Sequence, residues 1–155
     1  MNPQEKPVTI LMADDDAEDQ LMATEILAEC RWPTDQRFVE HGEELMDYLL
    51  RRREYSEWAR SPRPGLVLLD LNMPRKDGRE ALKEIKADHA LRQIPIVVLT
   101  TSRNEEDIYY SYDHGLCSFI TKPRTIDSLV ETLNTLSRYW LQTVELPLEK
   151  SSPNP

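Results

Sequence analysis

The stretch "LVLLDLNMPRKDG", Leu66 to Gly78, places four apolar residues directly before Asp70 and then breaks the run with Pro74 and Gly78. A short run that is apolar on both sides suits a strand inside a parallel sheet covered on both faces. An acid at the lip of such a strand is carried on rigid backbone, and the proline and glycine turn the chain back at once. The segment therefore predicts a buried strand that ends in a carboxylate.

Working outward, similar runs recur at Val8–Ala13, Arg37–Glu40, Ile94–Thr100 and Cys117–Thr121. Helical periodicity fills the gaps. Asp16 to Glu29 carries Leu21, Met22, Ile26 and Leu27, and Glu43 to Trp58 carries Leu45, Met46, Leu49 and Leu50. Gly78 to Asp88 carries Ala81, Leu82 and Ile85. Asn104 caps a helix with Glu105, Glu106 and Asp107 in its first turn, ending near Gly115. Thr125 caps the last helix, with Ile126, Leu129, Val130, Leu133, Leu136 and Trp140 along its stripe. Strand and helix thus alternate five times. The prediction is a doubly wound α/β fold: five parallel strands, five helices and right-handed crossovers.

Ligands of such folds sit beyond the carboxyl ends of the strands. Those ends read Asp14-Asp15-Asp16, Asp70, Thr100-Thr101-Ser102 and Lys122-Pro123. If they converge, Asp14, Asp15 and Asp70 share a cleft with one hydroxyl and one ammonium. Two carboxylates about 4 Å apart repel by roughly 4 kcal/mol at an effective dielectric near 20, and Lys122 alone does not balance three acids. A hard dication such as Mg²⁺ makes up the deficit. It takes oxygen ligands and keeps waters that a phosphoryl group can replace.

Composition narrows the function. A chain of 155 residues is expected to form one domain, and 39% hydrophobic residues suffice for a core. A net charge of −9 argues against direct nucleic-acid binding. Arg51-Arg52-Arg53 is expected to be a solvated helix face. Cys30 and Cys117 are too few for a disulfide framework, the N-terminus is not a signal peptide, and no stretch could span a membrane. The expected location is the cytoplasm. His41, His89 and His114 are scattered and are expected in exposed loops or helices.

From Val8 to Tyr139 the chain resembles the receiver domain of two-component response regulators. The likeness lies in Asp14-Asp15, in Asp70 of "LLDLNMPRKDG", in Thr100 of "VVLTTS" and in Lys122 of "TKP", with 30 positions from Asp70 to Thr100 and 22 from Thr100 to Lys122. It implies a flavodoxin-like fold with strand order 2-1-3-4-5. By the same resemblance Asp70 is the phospho-acceptor for a sensor histidine kinase. Asp15, Asp70 and the backbone carbonyl of Asn72 ligate Mg²⁺, and Asp14 acts through water. Lys122 pairs with the phosphoryl oxygens, Thr100 moves to hydrogen-bond them, and Phe119 falls at a switching aromatic. Asn72 and Ser102 stand where the family tunes phosphoryl lifetime, and Lys122-Pro123 where it uses a cis peptide. The protein would be a signalling protein rather than an enzyme, apart from its own phosphorylation and slow autodephosphorylation.

The chain also resembles a single-domain subgroup with a lengthened second helix, "EELMDYLLRRREYSEWARSPRPG", some of whose members pair with phytochrome-type kinases. The receiver domain is assigned to residues 7–143, with 144–155 a tail too short for an output domain that frays at its end. A stand-alone receiver signals through its surface. Tyr109, Tyr110, Tyr112, Tyr139 and Trp140 are the expected homodimer surface, on the fourth and fifth helices and the strand between. A phosphorelay intermediate remains an alternative. A Mg²⁺-dependent aspartate-nucleophile phosphatase fits poorly, because Asn72 replaces the second acid and Asp70 follows the third strand. A flavodoxin-like cofactor binder also fits poorly, because "ADDDAED" would repel FMN phosphate.

Overall fold

The structure is a computed structural model and describes residues 7–29, 34–57 and 60–148. Cys30, Trp58, the N-terminal six residues and the end of the tail lie outside the described residues. Five parallel strands stand in the order β2-β1-β3-β4-β5. They are β1 (Val8–Ala13), β2 (Thr34–Val39), β3 (Leu66–Leu69), β4 (Ile96–Thr100) and β5 (Ser118–Thr121). The helices between them are α1 (Ala17–Ala28), α2 (Gly42–Leu49), α3 (Gly78–Ala87), α4 (Glu105–Asp113) and α5 (Ile126–Ser137). This is the doubly wound arrangement anticipated above.

The period-two alternation of strands divides the core between the two faces of the sheet. Leu11, Ala13, Val67, Leu69 and Val98 pack with α2 and α3. Ile10, Met12, Leu66, Leu68, Val97 and Leu99 pack with α1 and α5. The stripe Ala81, Leu82 and Ile85 of α3 is fully buried. Both faces of β3 are covered, which is why its four residues are all apolar.

Several expectations are corrected. The second helix does not run on to Trp58; α2 ends at Leu49. Arg52 N–H reaches back to the Asp47 carbonyl at 2.8 Å and Arg51 N–H to that of Tyr48 at 3.2 Å, a Schellman-type ending with Arg51 left-handed at φ 53°. Arg53 is left-handed as well, at φ 55°, so the arginine triplet turns the chain instead of lining a helix. The connection then folds back over α2. Tyr48 donates its hydroxyl to the Pro62 carbonyl, Tyr55 to Glu44, and Ser61 to the Tyr55 carbonyl.

On α1, Leu21 is exposed, and the buried positions are Ala23 and Leu27. Ile126 of α5 and Leu50 beyond α2 are also exposed. The chain after α5 continues as a π-helical turn over Arg138–Thr143. The described part of the tail packs at its start, where Val8, Leu146 and Leu148 all lie close to Gly65; the end expected to fray lies outside the described residues. His41 is half-buried and caps α2, its Nδ1 accepting the Glu44 N–H at 3.1 Å. His114 is half-buried and stacks on Tyr110 with ring centroids 4.2 Å apart. Of the three histidines only His89 is exposed. There is no cis peptide among the described residues, so the Lys122–Pro123 bond is trans.

Candidate functional site

Each strand-end residue is placed by the sheet itself. The Asp14 amide bonds the Val39 carbonyl at 3.0 Å, the Asp70 amide the Ala13 carbonyl at 2.9 Å, and the Lys122 amide the Thr100 carbonyl at 2.7 Å. Hydrogen bonding between strands therefore continues one residue past β1, β3 and β5. Their side chains emerge together at the carboxyl edge.

There the three carboxylates predicted from sequence meet. Oxygens of Asp14, Asp15 and Asp70 lie within 4.8 Å of one another, with Asp15 exposed and the other two buried. Thr100 Oγ1 donates to Asp70 Oδ1 at 2.7 Å, and the Asn72 N–H donates to the same oxygen at 3.1 Å. Lys122 Nζ donates to Asp14 Oδ2 at 2.6 Å and stands 3.5 Å from Asp70 Oδ2. Asp14 Oδ1 takes the Asp16 N–H at 2.8 Å.

The charge balance is still unfavourable. Burial pushes the Asp14 carboxyl up to about 6, and the hydrogen bond and charge of Lys122 offset this only in part. Burial pulls the Lys122 ammonium down, but its hydrogen bonds to Asp14 and Asp19 outweigh that and hold it above the usual lysine value. Three clustered carboxylates supplying only hard oxygen atoms, one of them proton-seeking, fit a divalent cation.

The loop after Asp70 is clamped closely. A side chain at Gly78 would meet the Asp70 carbonyl oxygen at 2.4 Å. Gly42 donates its N–H to the Lys76 carbonyl at 3.0 Å, and a Cβ at Gly42 would lie 2.0 Å from that oxygen. Arg75, left-handed at φ 63°, pairs with Glu43 at 2.7 Å. Phe119 is half-buried against the α2/α3 side of the core, and its N–H donates to the Tyr112 hydroxyl at 3.1 Å. Of the aromatic residues expected on the outer surface, Tyr109, Tyr112 and Tyr139 are exposed. Tyr110 instead donates to the Arg79 carbonyl, and Trp140 packs on the α1/α5 side of the core.

Three participants have site roles that were not singled out from sequence, Asp107 being anticipated only as a first-turn acid of the fourth helix. Asp19 accepts from Lys122 Nζ at 2.7 Å and so shares its charge with Asp14. The signal for it was present, because Asp19, Ala23 and Leu27 are spaced by four along the inner stripe of α1. Arg79 and Asp107 form a bidentate pair with both distances 2.6 Å, beside Asn72 and Ser102. They lie 28 positions apart and no local pattern announces the pair.

Residues 10–134 match the family model of the response regulator receiver domain. The response regulator Rcp1 of Synechocystis sp. strain PCC 6803 is 40% identical over 141 residues, covering 91% of this chain and 94% of that protein. The phosphorylated cyanobacterial phytochrome response regulator RcpA superposes with a TM-score of 0.86 at 42% identity, over 92% of this chain and 99% of that one. The Mn²⁺-bound form of Rcp1 superposes with a TM-score of 0.87 at 40% identity, over 91% and 99% of the two chains. The strand order, the acidic cluster and the matched length agree, and the chain belongs to the response regulator receiver domain family.

Proposed function

We propose that residues 7–143 form a stand-alone receiver that takes a phosphoryl group from a sensor histidine kinase onto Asp70, with Mg²⁺ as cofactor. The observation that carries this reading is the meeting of Asp14, Asp15, Asp70, Thr100 and Lys122 at one sheet edge. Asp15, Asp70 and the Asn72 carbonyl are assigned to the cation, and Asp14 acts through water. When bound, the cation neutralises phosphoryl oxygens and adjacent carboxylates.

Phosphoryl transfer asks mainly for positioning and charge stabilisation. Two donors fix Asp70 Oδ1, so the carboxylate cannot swing. Oδ2, with Lys122 3.5 Å away, is the oxygen assigned to attack phosphorus while the bond to the donor histidine nitrogen breaks. The Lys122 ammonium then moves onto the new phosphoryl oxygens, and Thr100 exchanges its bond to Asp70 for one to the phosphoryl group. Phe119 is the reporting aromatic; it has no hydroxyl, so it acts by ring burial, backed by Tyr112.

The output is a change in a homodimer surface around Tyr109, Tyr112 and Tyr139. The similarity to Rcp1 and RcpA favours a phytochrome-type kinase as donor, in the cytoplasm, with the protein a signalling switch and not an enzyme. Incubation with acetyl phosphate and Mg²⁺, followed by intact mass, tests the core of the proposal. One phosphoryl adduct is expected in the wild type and none in Asp70→Asn. Rapid phosphate release without an adduct, or an adduct that survives Asp70→Asn, refutes it.

A further inference from the structure

The hydrogen bonds around Asp70 form a closed ring. Asp70 Oδ1 takes the Asn72 N–H at 3.1 Å, and Asn72 Oδ1 takes Arg79 Nη2 at 3.5 Å. Arg79 Nε and Nη2 reach the two oxygens of Asp107, each at 2.6 Å. Asp107 Oδ2 takes the Ser102 hydroxyl at 2.5 Å. The Ser102 N–H donates to Thr100 Oγ1 at 3.4 Å, and Thr100 Oγ1 returns to Asp70 Oδ1 at 2.7 Å. Both donors that orient the Asp70 carboxylate are thus tied, through their own loops, to one ion pair.

Arg79 is the member on which the ring turns. Its guanidinium also donates to the capping residue Asp77 at 2.9 Å, so it joins the start of α3 to the start of α4. Only a planar fork serves Asp107 through two parallel bonds while reaching Asn72 as well. Asp107 is 8% exposed, and the Arg79 hydrogen bond holds its carboxyl below the ordinary range against the effect of burial. The buried residues of α4 are Asp107 and Ser111, both polar. The first turn of that helix is therefore held by this ion pair in place of an apolar seam.

We infer that Arg79 is a positioning residue that holds the loops bearing Asn72 and Ser102 as one wall beside Asp70, and so sets the lifetime of the phosphoryl group. The inference rests on the proposed function. In the step it controls, a water oxygen bonds to phosphorus and the bond between phosphorus and the Asp70 oxygen breaks. Its electron pair returns to the carboxylate, orthophosphate leaves, and a proton passes to solvent. A wall held in place restricts the approach of that water; a loosened one admits it.

The test is the first-order decay of isolated phosphoprotein in Mg²⁺, together with melting temperature, for wild type, Arg79→Ala, Arg79→Lys, Asp107→Ala and the Arg79→Ala/Asp107→Ala double variant. Arg79→Ala and Asp107→Ala are each expected to speed decay about fivefold, ~1 kcal/mol on the barrier. The double variant should decay no faster than either, because one link is being broken twice. Arg79→Lys, which keeps the charge and loses the fork, should lie between wild type and Arg79→Ala and provides a measurement should the alanine variants fold poorly. Decay at the wild-type rate in Arg79→Lys and in whichever alanine variants fold, or effects that multiply in the double variant, overturns the inference alone. A wild type that never acquires the label overturns the proposed function and this inference with it.

Discussion

Asp14 shows how one side chain links burial, protonation and metal affinity. Its carboxyl is raised from 3.8 to about 6. Between those values the folded chain holds a proton that the unfolded chain has shed. By linkage this group's contribution to stability falls as pH rises through that window, so acidification from neutrality to about pH 4 relieves the metal-free protein of a buried charge. A dication must displace the same proton, and Mg²⁺ affinity should decline as pH drops below about 6. Calorimetric titration at about pH 5 and about pH 7.5 should differ at least about fivefold in affinity; equal values would mean that Asp14 is not the proton-seeking acid of the cluster. Gly78 is equally constrained. Its Cβ position meets the Asp70 carbonyl oxygen at 2.4 Å, a backbone atom that cannot rotate away. Gly78→Ala should cost at least about 2 kcal/mol in urea denaturation and weaken acetyl-phosphate labelling, because relief of the clash displaces the strand end that carries Asp70.

At the scale of elements, the caps were legible because their chemistry is local. Asn104 and Thr125 each accept an N–H group from the helix they open, as their residue types and positions implied, and Asp16 does the same for α1. The end of α2 was not legible. Arginine at a left-handed position carries no sequence signal, and the turn is favoured by contacts made elsewhere, above all the 2.7 Å bond from the Tyr48 hydroxyl to the Pro62 carbonyl. Tyr48→Phe leaves that carbonyl without its donor and should lower stability by about 1 kcal/mol while α2 itself persists. Circular dichroism and a denaturation midpoint together check this; an unchanged midpoint would show that the connection is held by other contacts. On α1 the helical period held for Met22, Ile26 and Leu27, which bear on the core, and failed at one position. Leu21 faces outward, and Asp19 lies on the inner stripe because Lys122 supplies a buried partner for its carboxylate.

For the whole molecule, an acidic surface and a cluster of clefted acids give a chain of net charge −9, which opposes self-association unless apolar contacts offset it. Exposed Tyr109 on α4 is 70% accessible and is the residue on which the proposed dimer chiefly depends. Tyr109→Glu should weaken that dimer by about tenfold or more in sedimentation, as loss of an aromatic anchor at an interface does. A wild type that stays monomeric at high concentration, with or without a phosphate mimic, would remove the dimer from the proposal.

The sequence by itself determined the order of elements, the parallel sheet, and the strand-end positions of Asp14, Asp15, Asp70, Thr100 and Lys122. All of these follow from short-range patterns: runs apolar on both sides, helical spacing, caps, and breaks after each strand. Tertiary structure alone decided the sharing of Lys122 between Asp14 and Asp19, the ending of α2, the exposure of Leu21 and Ile126, and the Arg79–Asp107 pair that closes the ring around Asp70. Each of these joins residues distant in the chain or depends on which side of a helix meets the sheet. Periodicity specifies that a face exists, and only packing selects which residues occupy it.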